Sequence, residues 1–259
     1  MTHDFSFPDW YPHLVKDSKI LVVGASGGMG CALLEMVKKG PACIVGAHRC
    51  TGKPVEQVSA DAHKIIDLQS DLKTDQDCQD LVEKFVDEAG GITGLVVLCG
   101  GISRAVHWRE LTDKEWTDDI NLNLNIPFFL ARVGMKFMED KGGQIVLTGT
   151  ESALHGGSST SLPYGVAKSG IECLVPGLAR EGAKNKILVN GIRAGFIKTG
   201  FHERWQGKTE QDIKKRVEMI PLQRAGEPEE AAALIIYLLS GWSGFITGQM
   251  LSITGGDWL

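Results

Sequence analysis

The chain has 259 residues, 43% of them hydrophobic and 23% charged, with a formal net charge of −5 at pH 7. That length suits one large α/β domain able to bury a substantial core. The acidic balance and the lack of a basic block argue against nucleic acid or an anionic membrane as the main partner, and no uncharged apolar run reaches bilayer-spanning length.

Residues 1–18 read as an N-terminal arm, aromatic through Phe5, Phe7, Trp10 and Tyr11. The arm lacks the basic start and apolar stretch of a secretion signal, which predicts a cytoplasmic protein. From residue 19 to 259 no proline- or serine-rich linker marks a boundary, so this span reads as one domain. Its first strand covers 19–24 and runs through the turn Gly24-Ala25-Ser26-Gly27-Gly28-Met29-Gly30 into a helix over 28–39. Strands at 42–47 and 64–67 follow, then a helix over 74–89, a strand at 94–99 and a long helix over 113–139. The series closes with a strand at 144–148, a helix at 163–184, a strand at 187–192, a helix at 228–240 and a strand at 249–253. Thr74 and Thr112 suit helix caps, and Pro228 suits a first helical turn. Short β-branched runs alternating with helical periods predict a doubly wound α/β fold with a seven-stranded parallel sheet, whose ligand lies beyond the carboxyl ends of the strands.

Two motifs carry chemistry. Glycines 24, 28 and 30 let a backbone turn come close to a pyrophosphate, while the helix start offers unpaired N–H groups and a positive dipole end. Tyr164 and Lys168 lie four residues apart, on one face of a helix. A phenol titrates near 10, and a fixed positive charge beside it favours the phenolate, so the pair suits acid–base work. The six cysteines show no Cys-x-x-Cys, and the seven histidines form no ligand pair. No metal site is predicted.

The order of these features, with Asn123 on the mid-chain helix and a hydroxyl after the fifth strand, resembles the short-chain dehydrogenase/reductase family, whose domain is of Rossmann type. Asn190-Gly191-Ile192-Arg193-Ala194-Gly195-Phe196-Ile197-Lys198-Thr199 is similar to its Asn-x-x-x-Pro-Gly-x-x-x-Thr, and 220–230 and 247–256 follow it too. The resemblance spans residues 19–256. It implies an oxidoreductase moving hydride between a nicotinamide and a secondary alcohol or ketone. Tyr164 would be the general acid or base; Lys168 would lower its pKa and hold the nicotinamide ribose; Asn123, between Asn121 and Asn125, would help a proton relay. The substrate hydroxyl aligns best with Thr150, 14 residues before Tyr164, one more than usual, with the 156–161 loop absorbing the extra residue. Ser152 is its rival. Ser26, Met29, Gly100, Gly195, Ile197 and Thr199 fall in the family's cofactor-binding positions.

Two departures stand out. Leu98-Cys99-Gly100-Gly101 replaces Asn-Asn-Ala-Gly, so the bracing of that loop must be remade, and Ala194 replaces a proline. The second strand ends His48-Arg49 with no carboxylate, and Arg49 suits the extra phosphate of NADP, with NAD the other candidate. Asp67-Leu68 fits the adenine contact. In the family, residues 200–220 set substrate choice; Phe201, His202, Arg204 and Trp205 stand there, while Arg104 and Arg193 suggest an anionic substrate. Family members are mostly tetramers or dimers, with the helices at 113–139 and 163–184 and residues 254–259 as interface. The readings from other classes are a dinucleotide-binding regulator or scaffold with little turnover, and a dehydratase or epimerase, for which the chain is short.

Overall fold

The apolar runs become parallel strands because each alternates its side chains between two buried faces. The computed structural model describes residues 12–51, 59–60, 63–206 and 209–257; the aromatic residues of the arm lie outside them. The strands are β1 (Ser18–Val23), β2 (Cys43–Arg49), β3 (Ser59–Ala60), β4 (His63–Gln69), β5 (Gly94–Val97), β6 (Gly143–Thr150), β7 (Ile187–Ala194) and β8 (Met250–Ile253). They form one sheet in the order β3-β4-β2-β1-β5-β6-β7-β8, parallel except where two-residue β3 runs against β4. Seven parallel strands match the predicted ones, and β3 is too short to show a period.

Helices α1 (Gly28–Val37) and α8 (Pro228–Leu239) cover one face of the sheet, and α2 (Asp75–Ala89), α4 (Ile126–Met138) and α5 (Leu162–Gly182) cover the other. Along β1, Leu21 and Val23 pack with Phe85, Leu130 and Ile171, while Ile20 and Val22 pack with Leu33 and Ile235. This is a doubly wound, Rossmann-type sheet. Thr74 and Thr112 cap α2 and α3 (Asp113–Ile120) in reciprocal pairs with Asp77 and Glu115. Two short helices, α6 (Phe201–Gln206) and α7 (Glu210–Glu218), follow β7.

The helix predicted over 113–139 is interrupted. Between α3 and α4, Asn121–Asn125 form a π-helical turn, with the Ile126 amide donating to the Asn121 carbonyl. Pro127 has no N–H to give the Asn123 carbonyl four residues back, so the ladder loosens just upstream of it. Strand β5 also stops at Val97, short of the predicted 99. The chain leaves the sheet after the Leu98 amide meets the Val23 carbonyl at 2.8 Å. Sequence order reverses between β1 and β5, which opens a crevice at their carboxyl ends.

Candidate active site

One side of that crevice is the glycine turn. Gly24 has φ +91°, and a Cβ there would lie 3.0 Å from the Cys99 nitrogen. A Cβ on Gly28 would lie 2.8 Å from Thr199 Cα, and one on Gly30 would lie 2.5 Å from the Gly24 carbonyl oxygen. The turn leans on β2, since the Gly24 and Ala25 amides donate to the His48 carbonyl at 3.2 and 2.8 Å. Helix α1 starts with Gly27 as its N-cap and no side chain bonded across it. A cavity of about 90 Å³ lies here, walled by these glycines, Met29, Leu98, Gly100, Thr199 and Arg204; Ser26 is exposed at the turn. Close-fitting glycines before an uncapped helix start fit the pyrophosphate of a dinucleotide.

At the carboxyl ends of β2 and β4 the arrangement differs from the expectation. Arg49 and Asp67 bind each other, Nε to Oδ1 and Nη2 to Oδ2, both at 2.9 Å, with the Arg49 side chain only 5% exposed. A bidentate pair forms because the residues are register neighbours two positions apart on adjacent strands. Arg49 is thus not a lone cation awaiting a phosphate, and Asp67 spends both oxygens on it. His48 is buried with Nε2 3.1 Å from the Ser70 carbonyl and hydroxyl oxygens, and burial moves its imidazole below the ordinary value. Leu68 is a core residue.

The residues expected to transfer a proton meet where β6 ends and α5 begins. Tyr164 and Lys168 line one cavity of about 120 Å³ with Thr150, Ser152, Gly100, Gly195, Ile197 and Thr199. The Thr150 hydroxyl lies 3.2 Å from the Ser152 hydroxyl and donates to the Ala194 carbonyl at 3.4 Å. The loop between Thr150 and Tyr164 turns sharply at its glycines. Gly156 and Gly157 both take positive φ, +78° and +71°, and a Cβ on Gly165 would meet Gly157 Cα at 3.0 Å. Lys168 is 2% exposed and its Nζ donates to the Thr148 carbonyl at 2.9 Å.

Burial pushes the Tyr164 phenol up to about 12, with the polar Thr150 hydroxyl nearby acting against it, and pushes Lys168 down to about 8. The sequence-based expectation that Lys168 lowers the phenol meets a different balance: its Nζ lies 5.8 Å from the ring centroid, and desolvation outweighs it.

Of the three alternate asparagines, Asn123 alone turns inward. It is fully buried, and its Nδ2 donates to the Gly101 and Asp119 carbonyls, both at 2.8 Å, while its Oδ1 accepts from the Gly101 amide at 3.2 Å. Asn121 bonds the Lys73 carbonyl, and Asn125 bonds Asn121. Gly100 is needed here, since a Cβ would lie 3.0 Å from Asn123 Oδ1 and 3.5 Å from Lys168 Nζ.

A family model described as enoyl-(acyl carrier protein) reductase matches residues 24–257. An acetoacetyl-CoA reductase of Rhizobium meliloti is 31% identical over 245 residues, covering 92% of this chain and 97% of the relative. The chain belongs to the short-chain dehydrogenase/reductase family. Subunit BbsD of the (2S)-[(R)-hydroxy(phenyl)methyl]succinyl-CoA dehydrogenase of Thauera aromatica is 29% identical over 247 residues, with 93% and 97% covered. A short-chain type dehydrogenase/reductase from Mycobacterium ulcerans shares the fold, with TM-score 0.81, 24% identity and coverage of 94% and 90%.

In this short-chain dehydrogenase/reductase a larger cavity, about 430 Å³, continues from Thr150 and Ser152 outward. Its walls are Phe196 and His202, whose rings stack at 4.2 Å, together with Ile213, Lys215, Arg216 and Met219 of the α7 region and Asp257. The Phe201 ring lies 5.6 Å from that of Tyr164. Arg104 and Arg193, singled out for an anionic substrate, are engaged elsewhere. Arg104 pairs with Glu115 at 2.6 Å, and Arg193 holds Glu172 at 3.0 and 2.8 Å. The basic residues on the cavity wall are Lys215 and Arg216, the latter paired with Asp257. Arg216 sits on the α7 face beside Ile213, a helical spacing legible in the sequence; its partner 41 residues on had no local signal. Among the described residues no cluster could hold a metal ion, and no helix is long and apolar enough to cross a membrane.

Proposed function

We propose that this oxidoreductase moves a hydride between NADP, ahead of NAD, and a secondary alcohol or ketone, with Tyr164 as general acid in reduction and general base in oxidation. The observation that carries this reading is the meeting of Thr150, Tyr164 and Lys168 on one cavity, continuous in lining with the glycine turn through Met29, Gly100 and Thr199. The nicotinamide supplies or accepts the hydride when bound. A phenol held well above neutral pH stays protonated and hands its proton to the alkoxide that forms as a ketone is reduced. Thr150 orients the same oxygen, while Lys168, fixed by the Thr148 carbonyl, keeps a positive charge near the developing anion. The Gly24–Gly30 turn, Met29, Gly195, Ile197 and Thr199 hold the dinucleotide, and Asn123 carries the Gly100–Gly101 loop against Lys168.

NADP is put first because β2 ends in His48-Arg49, with no carboxylate there to accept ribose hydroxyls. Among ketones, 3-oxoacyl thioesters come first. Relatives are named acetoacetyl-CoA reductase and 3-oxoacyl-[acyl-carrier-protein] reductase, and the 430 Å³ cavity beside Thr150 has room for an acyl arm. A cytoplasmic homo-oligomer, tetramer or dimer, is the proposed form.

The test follows nicotinamide absorbance with NADPH and NADH against acetoacetyl-CoA and simple ketones. Turnover with the larger kcat/KM for NADPH is expected. Tight NADPH binding without turnover on any ketone would sink the enzymatic reading in favour of a binding protein.

A further inference from the structure

The loop that replaces the family's Asn-Asn-Ala-Gly has lost its two asparagine side chains, yet Gly100 and Gly101 sit within contact of Asn123 and Lys168. Something else fixes them. Asp119, one turn before Asn123, is 1% exposed. Its Oδ1 accepts from the Ser103 amide at 2.7 Å and from the Ser103 hydroxyl at 2.6 Å, and its own carbonyl accepts from Asn123 Nδ2 at 2.8 Å. With the two bonds between Asn123 and Gly101, this closes a ring of four residues, Asp119, Ser103, Gly101 and Asn123. The ring ties the loop after β5 to the π-helical turn.

The second carboxylate oxygen, Oδ2, is buried without a hydrogen-bond partner. Burying a carboxylate half-satisfied is costly, and an apolar side chain would pack at such a helix position with less penalty. The cost is offset if the charge-assisted bonds hold a loop whose place matters. Gly100 is that place, because a Cβ there would press on Asn123 Oδ1 at 3.0 Å and lie against Lys168 Nζ at 3.5 Å.

We propose that Asp119, acting through Ser103, is a positioning residue that clamps Gly100 and Gly101 over Asn123 and Lys168, in place of the lost asparagines. The proposal rests on the reading of Lys168 as part of the proton-transfer site. Asp119 touches no reacting atom; it sets how tightly the loop seals Lys168 from water.

The experiment compares Asp119→Ala and Asp119→Asn in the full chain by steady-state kinetics, by the alkaline limb of the kcat–pH profile and by hydrogen exchange of the 100–103 amides. Asp119→Ala removes both bonds. It is expected to speed exchange at 100–103, to lower kcat about 10-fold with KM for the ketone nearly unchanged, and to move the alkaline limb to higher pH, because water reaching Lys168 favours its charged form. Asp119→Asn keeps an acceptor oxygen for Ser103, and a kcat within about 3-fold of the parent is expected. A purely structural residue would lower Tm without changing kcat per folded molecule or the limb, and that result overturns the proposal. If Asp119→Ala does not fold, Ser103→Ala removes one bond from the exposed side; unchanged exchange and kcat there would also overturn it. The exchange arm does not depend on turnover. A chain inactive on every ketone therefore counts against the proposed function, while unchanged exchange counts against the clamp alone.

Discussion

The hydroxyls of Thr150 and Ser152 stand 3.2 Å apart on the cavity that Tyr164 and Lys168 also line. Both hydroxyls line that cavity, and Thr150 is the one proposed to share the substrate oxygen, with Ser152 its rival. Thr150→Ala is expected to lower kcat about 100-fold and Ser152→Ala less than about 3-fold, with Thr150→Ser near the parent. Steady-state kinetics on the three variants decides, and the reverse ranking of the alanine variants would move the role to Ser152.

Removing the Tyr164 hydroxyl should stop proton transfer and leave the dinucleotide cavity intact. For Tyr164→Phe a loss of about 1,000-fold in kcat is expected, with the NADPH Kd within about 3-fold by fluorescence titration. Residual activity above a tenth of the parent would mean another group carries the proton.

Lys168 titrates near 8 when folded and near 10.5 when free. Its protonated form is therefore penalised on folding; the penalty is complete below about pH 8 and gone above about 10.5. Relative to the parent, Lys168→Met should gain Tm at pH 7, where it avoids the buried charge, and lose that advantage as the pH rises through this window. Ketone reduction by the parent should decline above about pH 8 as the ammonium is lost. Calorimetry across pH 7–10 reads the first effect, and a difference in Tm that does not change with pH would contradict it.

At the glycine turn, Gly28→Ala brings a methyl group within 2.8 Å of the Thr199 backbone. Dinucleotide affinity should fall about 10-fold or more with some loss of Tm, whereas Gly30→Ala, aimed at the Gly24 carbonyl at 2.5 Å, should cost more stability. Equal Kd values for Gly28→Ala and the parent would place the pyrophosphate elsewhere.

Arg49 and Asp67 can be separated by a double-mutant cycle. Replacing either with Leu strands the other's charge, so each single variant should melt lower than the double. The same Arg49→Leu variant should raise the NADPH Kd more than the NADH Kd. An equal shift for both would remove Arg49 from cofactor choice.

The elements were legible because β-branched runs and glycine turns carry their own signals. The seven parallel strands, the caps at Thr74 and Thr112 and the loop at 156–161 all follow from local residue chemistry. What the sequence hid depends on long-range partners. The Arg49–Asp67 pair joins residues 18 apart through strand register, and Arg193 is claimed by Glu172 of α5. The upward push of burial on Tyr164 had no signal in the sequence, because a spacing of four places the charge but says nothing of burial. Pro127 stood in plain sight, yet the helical period ran through it, and the π-helical turn showed only in three dimensions.

Gly157 and Gly165 touch backbone to backbone, so the strand end bearing Thr150 and the helix bearing Tyr164 are gauged against each other by the absence of two methyl groups. Catalytic rates fall steeply with sub-ångström misplacement. The loop and this bare contact thus act as a single unit, and any graft of this site onto another scaffold has to carry both.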